Sequence, residues 1–300
     1  MGDVVHTLPV AVALKRSDPQ GEIVWMVDAP FREIVDRCPA VDVVVVRDKA
    51  PRSALRQARG LGPFDLALDM QGLLKSALVV ASARARRRLG YHWQREGSRL
   101  ASSPVLPDPG SVHVVDQYVD VARAAGAEAD RAEWGLAPTD EDLAQAKLAL
   151  KEAGWAGEPI VAMNAGAGWA TKRWHPREFA GLARHLAKNG LATAFLGAPG
   201  ERGVWDSVAA HDPGPALDLI GRTSVGALVG LVSMAEAHVG GDTGSSHIAA
   251  ALGKPAFSVF TLTRPERSCP YGQLSRCFDA REAPVEWPRV AESVLRELRP

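Results

Sequence analysis

The feature that most limits what this chain can become is a rhythm. Apolar runs of strand length alternate with longer amphipathic stretches over almost its whole length. "EIVWMV" (22–27) reads as a strand and "PFREIVDRC" (30–38) as a helix with Pro near its start. "VDVVVV" (41–46) is a strand, "RSALRQAR" (52–59) a helix and "FDLALDM" (64–70) a strand. "LLKSALVVASARA" (73–85) and "HVVDQYVDVARAAG" (113–126) are helices. "TDEDLAQAKLALKEAG" (139–154) opens on an N-cap Thr or Asp with an acidic first turn and closes at Gly154. After the Gly- and Pro-rich "WAGEP" the cycle restarts. Strands are expected within 159–166, where the end runs into a Gly-rich loop, and at 191–198, 237–239 and 255–260, with helices at 176–190, 201–210, 224–235, 245–253 and 286–298. Such alternation predicts an α/β protein with parallel sheets covered by helices. Two complete series predict two Rossmann-like domains with a cleft between them, residues 1–154 and 155–283. Residues 284–300 are a closing helix expected to pack back toward the first domain.

In open sheets of this kind ligands sit beyond the carboxyl ends of the strands, so the informative loops are those that follow strands. "GGDTGSSHIAAALG" (240–253) carries glycines that let backbone come close, then a helix of small residues whose first N–H groups suit a phosphate. Asp242 is the odd member, because a carboxylate repels phosphate; it caps backbone N–H groups or grips a hydroxyl. The bland alternative is a well-capped helix with no ligand. "NAGAGWATKRWHP" (164–176) opens room at Gly168 and offers Lys172 and Arg173 to an anion; otherwise it is a basic surface loop. Glu201, after "GAPG", suits a ribose diol or simply complements a helix dipole. "ARARRRLGYHWQREGSR" (83–99) concentrates arginines, including Arg87 and Arg88, that suit phosphate or carboxylate or form a solvated face. Lysine plus arginine and aspartate plus glutamate each number 35, so no whole-molecule field draws a polyanion, and no nucleic-acid motif is present. No run reaches the about 18 apolar residues of a membrane span. Cys38, Cys269 and Cys277 match no zinc spacing, no HExxH occurs, and Asp140-Glu141-Asp142 sits where a helix cap belongs. No metal or cofactor is therefore expected.

Four segments in order resemble glycosyltransferase family 9, the lipopolysaccharide heptosyltransferases. These are "GDVVHTLP"; "FDLALDMQGLLKSAL", through Asp69, Gln71, Gly72, Lys75 and Ser76; "KRWHPREFAGLARHL", through Lys172, Trp174 and Phe179; and "DTGSSHIAAALGKP", through Asp242, Thr243, Gly244, His247, Ala250 and Ala251. The resemblance implies a GT-B architecture and an inverting, metal-independent transfer of heptose from ADP-heptose to a phosphorylated or Kdo-bearing glycolipid of the lipopolysaccharide inner core. It implies Asp3 as general base and Lys172 as a second catalytic group. It implies a donor site of Gly168, Glu201, Thr223, Asp242, Thr243, Gly244 and His247, and an acceptor site that includes Gln71, Lys75, Arg87 and Arg88. His247 faces the donor, braces the loop or merely packs. The setting implied is cytoplasmic, peripheral at the inner face of the inner membrane. The family also carries about ten residues, one strand's length, ahead of Gly2-Asp3; the first, central strand of the N-terminal sheet is thus expected to be missing and Met1 reads as an internal methionine. Thr261 and Leu262 replace a usual Gly-Pro, which opens the choice of sugar or base. The competing readings are another nucleotide sugar and envelope glycan, a 2-epimerase-like isomerase of the same fold, and a nucleotide binder without turnover.

Overall fold

The computed structural model describes residues 1–298. Its strands are β1 (Val24–Val27), β2 (Val43–Val46), β3 (Phe64–Asp69), β4 (Ala85–Tyr91), β5 (Ser103–Val105), β6 (Ile160–Asn164), β7 (Ala192–Phe195), β8 (Leu217–Asp218), β9 (Ala237–Gly240), β10 (Ala256–Phe260) and β11 (Cys277–Asp279). Its helices are α1 (Gly2–Ser17), α2 (Arg32–Val35), α3 (Pro51–Leu61), α4 (Leu74–Ser82), α5 (Val114–Ala125), α6 (Asp140–Glu152), α7 (Pro176–Lys188), α8 (Arg202–Ala209), α9 (Val225–Met234), α10 (Gly244–Ala251), α11 (Pro265–Ser268) and α12 (Trp287–Leu298). None of them is long and apolar enough to cross a membrane. The chain forms two compact units, Asp3–Gly135 and Leu136 onward.

The second unit is built on one six-stranded sheet in the order β11-β10-β9-β6-β7-β8, every pair parallel. Its central strands read as unbroken apolar runs because helices cover both faces; Val161, Met163, Val239, Phe257 and Val259 are fully buried. Asn164 of β6 pairs with Gly240 of β9, so the two strands end level and their loops leave from one edge. On one face Phe179, Leu182 and Leu186 of α7 meet Phe195, Phe257 and the Val290, Val294 stripe of α12. Through that stripe α12, the expected closing helix, packs on α7 of its own unit, where the Trp287 N–H donates to Glu178 Oε2 at 2.9 Å. α6 also belongs to this unit rather than to the first, so the units divide ahead of it and not at 154. It packs along α9, and Ser224 Oγ donates to Gln145 Oε1 at 3.4 Å. Its acidic start is a cap, as read: Thr139 Oγ1 accepts from the Asp142 N–H at 3.2 Å, and Asp142 Oδ2 accepts from the Thr139 N–H at 2.9 Å.

In the first unit the strands fall into two parallel sheets, β1-β2 and β3-β4-β5, and no strand among the described residues pairs with both. The consequence is visible in burial. Val24, Trp25, Met26, Val44, Leu66 and Leu68 stay partly exposed, unlike their counterparts in the second unit. The core of this unit leans on helices instead, with Val5, Leu8 and Val10 of α1 and Val115, Val119 and Val121 of α5 all buried. Trp134 Nε1 donates to the Val5 carbonyl at 2.9 Å and pins α1.

The arginine run, expected in a loop and a helix end, is strand β4. Arg87 Nη2 donates to the Ala124 carbonyl at 2.7 Å, at the end of α5. Arg88 donates to the carbonyls of Val80 at 3.0 Å and Ala83 at 2.8 Å, at the end of α4. Both guanidinium groups thus cap helix C-termini, where orphan carbonyls and the dipole favour a cation.

Candidate functional site

At the carboxyl edge of the second sheet three loops converge on Asp242. Lys172 Nζ donates to Asp242 Oδ2 at 2.8 Å, and Thr263 Oγ1 donates to the same oxygen at 2.9 Å. His247 Nε2 lies 3.3 Å from Oδ1. Asp242 therefore does not cap α10; its oxygens are taken by side chains from after β6, from α10 and from after β10. The pair is half-withdrawn from water, Lys172 being 22% and Asp242 13% exposed. Burial alone would raise the Asp242 carboxyl, but the hydrogen bonds from His247 and Lys172 outweigh it and hold the group well below the usual carboxylate range. His247 is thereby a brace for the carboxylate.

α10 starts without a side-chain cap at Thr243, which leaves its first-turn N–H groups to a ligand. Under that start runs a buried polar network. Thr243 Oγ1 lies 3.1 Å from the hydroxyls of both Ser245 and Ser246. Ser245 Oγ accepts from Asn164 Nδ2 at 2.9 Å and meets His238 Nε2 at 2.9 Å. Asn164 Oδ1 in turn accepts the Gly166 N–H at 2.8 Å, so one amide ties the loop after β6 to the helix. Burial, with His247 nearby, pushes His238 down to about 3, and its imidazole is neutral at pH 7.

Glu201 closes on the same loop. Its Oε2 accepts the Ala198 N–H at 2.8 Å, and a Cβ on Gly166 would fall 1.8 Å from its Oε1, so a side chain there would push the carboxylate aside. Gly168 is exposed with open space around it. Thr223 is half-buried on the loop between β8 and α9, which the Gly221 N–H ties to the Gly197 carbonyl at 2.8 Å. The structure thus gathers Lys172, Asp242, Thr243, Gly244 and His247, and sets Gly168, Glu201 and Thr223 on loops of the same unit.

The first unit carries the other expected residues. Asp3 is exposed in the first turn of α1. Gln71 is exposed after β3, where Asp69 Oδ1 accepts the N–H groups of Gln71 at 3.1 Å and Gly72 at 2.9 Å. The Asp-x-Gln-Gly sequence is therefore a turn device. Lys75 Nζ lies 3.3 Å from Asp28 Oδ2, and Arg47 Nε 2.7 Å from Asp28 Oδ1. Two cations share one carboxylate. Arg87 and Arg88 donate to helix carbonyls as described.

Sequence reasoning missed Asn164, His238, Ser245 and Thr263, and read Thr261 only as a departure from the family pattern. A lone Asn closing a four-residue apolar run was the available signal for the first. Thr261 Oγ1 donates to the Thr171 carbonyl at 2.8 Å, so the residue that departs from Gly-Pro fastens two of the loops together.

Two parallel α/β units, one gathering a lysine, a paired carboxylate and an open helix start at strand ends, have the architecture of a GT-B protein. The fold agrees: a glycosyl transferase family 9 structure from Veillonella parvula matches with a TM-score of 0.83 at 18% identity, over 98% of this chain and 88% of that one. Escherichia coli heptosyltransferase WaaC, solved with ADP, matches with 0.77 at 22% identity, over 99% and 96%. The family model for glycosyltransferase family 9 (heptosyltransferase) matches residues 52–293, and the chain belongs to that family. Lipopolysaccharide heptosyltransferase 1 of Escherichia coli is 29% identical over 292 residues, covering 91% of this chain and 88% of that protein.

Proposed function

We propose that the chain transfers heptose from ADP-heptose to a phosphorylated or Kdo-bearing acceptor of the lipopolysaccharide inner core. The reaction inverts the anomeric carbon and uses no metal. The enzyme works in the cytoplasm at the inner face of the inner membrane. The observation that carries the reading is the Lys172–Asp242 pair at the open start of α10, in a family 9 chain. A nucleotide sugar has both groups such a pair calls for. Its diphosphate takes the Lys172 ammonium and the α10 N–H groups, while a sugar hydroxyl takes the place of the ammonium at Asp242. Glu201 and Thr223 serve the nucleoside, Gly168 leaves room beside the phosphates, and His247 holds Asp242.

The acceptor side is the first unit, with Gln71 and Lys75 at the carboxyl edge of its strands. The Asp3 carboxylate takes the proton of the acceptor hydroxyl as its oxygen bonds the anomeric carbon. The bond from that carbon to the diphosphate oxygen breaks, and its electron pair leaves with ADP. Lys172 and the α10 N–H groups stabilise the charge that gathers there. A carboxylate is a weak base, which suffices when the proton moves late.

The test is acceptor-dependent release of ADP from ADP-heptose in the presence of EDTA, with product mass identifying the sugar. Asp3→Asn should abolish release, by roughly 100-fold or more as expected of a lost general base, with ADP affinity unchanged. Near-normal turnover of that variant removes Asp3 from the role. Release that needs no acceptor would favour the isomerase reading.

A further inference from the structure

We infer that the outer face of α4 and the loop 92–100 fastened to it form a docking surface for an anionic lipid bilayer. The inference deepens the transferase reading, whose acceptor is a glycolipid, and rests on it for the choice of lipid. Four large apolar side chains crowd into this one small region: Leu74 at 48% exposure, Leu78 at 44%, Trp93 at 51% and Leu100 at 96%. Leu74 and Leu78 stand one turn apart on α4 and so share a face. Trp93 and Leu100 are brought to that helix by a fixed loop, not by chance proximity. The Arg95 N–H donates to the Gly72 carbonyl at 2.8 Å, Ser98 Oγ donates to it at 3.0 Å, and Glu96 Oε2 accepts the Leu74 N–H at 3.1 Å. Gly72, at φ +67°, lies so close to the Trp93 carbonyl that a Cβ would fall 2.5 Å from it. Beside this face a groove of about 360 Å³ runs between α3 and α4, lined mostly by apolar residues such as Leu55, Leu73 and Leu78, with Arg47, Lys75 and Glu96 also in its wall.

Single exposed apolar side chains are ordinary, but three leucines and a tryptophan in one braced region are not. The charge around them chooses the occupant. Arg95 and Arg99 are exposed on the same loop. The carboxylates nearby are outnumbered: Glu96 is exposed beside Arg95 and Arg99 and accepts the Leu74 N–H, and Asp28 is shared by Arg47 and Lys75, so the rim keeps a net positive charge. An outward-facing positive rim around Leu and Trp side chains is thus carried by a chain with formal net charge zero. Apolar side chains that enter the acyl boundary, with arginines at headgroup level, are what a phosphate-bearing bilayer recognises.

The experiment is sedimentation with phosphatidylglycerol–phosphatidylcholine vesicles and with pure phosphatidylcholine vesicles, with no acceptor glycolipid present. The protein should sediment with the anionic vesicles and be released by salt. L78S/L100S should weaken partitioning by roughly tenfold, and R95Q/R99Q by roughly fivefold for each arginine. A wild-type protein that stays in the supernatant, or variants that sediment as wild type does, would overturn the inference. So would vesicle-free self-association that the leucine variants lose, since the surface would then join two copies of the chain. Transfer to a delipidated acceptor should remain at the wild-type level in both variants. If wild type itself lacked that transfer, the transferase reading would fail while the vesicle result stood separately.

Discussion

Asp242 accepts from Lys172 and Thr263 on one oxygen and faces His247 with the other, so each partner is tied to the state of the carboxylate. Removing the lysine therefore acts twice, once on a bound diphosphate and once on a carboxylate left without its cation. Lys172→Ala should weaken ADP binding by roughly 1.5–3 kcal/mol, the range for a hydrogen bond to a charged group. Titration calorimetry measures it, and unaltered affinity would put the ammonium outside the phosphate site. The same cluster makes the fold acid-sensitive. Asp242 titrates below its unfolded value, so its contribution is present above the ordinary carboxylate range and is lost as pH falls through the folded value. His238 is held neutral down to about 3, whereas an unfolded imidazole protonates near 6.5. Between those values the unfolded chain binds the extra proton, and stability falls with falling pH by up to roughly 1.4 kcal/mol per pH unit. Urea midpoints between pH 7 and pH 4 should decline, with a shallower slope in His238→Gln. Equal slopes would show that the imidazole is already protonated or solvated in the folded protein.

Among the elements, α6 and α9 approach most closely at Gly230, where a Cβ would stand 2.5 Å from the Asp142 carbonyl oxygen. The obstacle is backbone and cannot swing aside. Gly230→Ala should destabilise by about 1–3 kcal/mol, the usual cost of overpacking, read as a lower denaturant midpoint. A neutral substitution would mean that α6 slides on α9 at little cost. The elements that sequence patterning located well are those with continuous apolar runs, β6, β9 and β10, or with full helical stripes, α7 and α12. It failed on β4, because Arg86, Arg87 and Arg88 in succession carry no strand period; their heads reach the Asp65 carboxylate and the carbonyl ends of α4 and α5. It also failed on β8 and β11, which are two and three residues long and offer no period to detect. At the site, the short motif around Asp242 was legible as a loop between a strand and a helix start. The partners of Asp242 were not, since Lys172 lies 70 residues away and Thr263 21.

At the scale of the molecule the two units differ in how completely their sheets are closed in. The six-stranded sheet of the second unit has fully buried central strands, while the first unit divides its strands between two smaller sheets with partly exposed residues. Amide exchange should show this directly. β6, β9 and β10 should be protected to the level of global unfolding, and β1, β2 and β3 should exchange by smaller openings, at least roughly tenfold faster. Equal protection in both units would mean that the divided sheet is no weaker than the intact one. The division also bears on the heat of ligand binding. A ligand held by the second unit meets a frame already set, and its binding should show small changes in heat capacity and little ordering entropy. A ligand held by the first unit meets a frame with slack, and part of its binding free energy goes into tightening the protein. On the proposed assignment of donor to the second unit and acceptor to the first, acceptor binding should then be the more enthalpic event, opposed by entropy and strongly temperature-dependent, while the donor binds nearly as to a rigid mould.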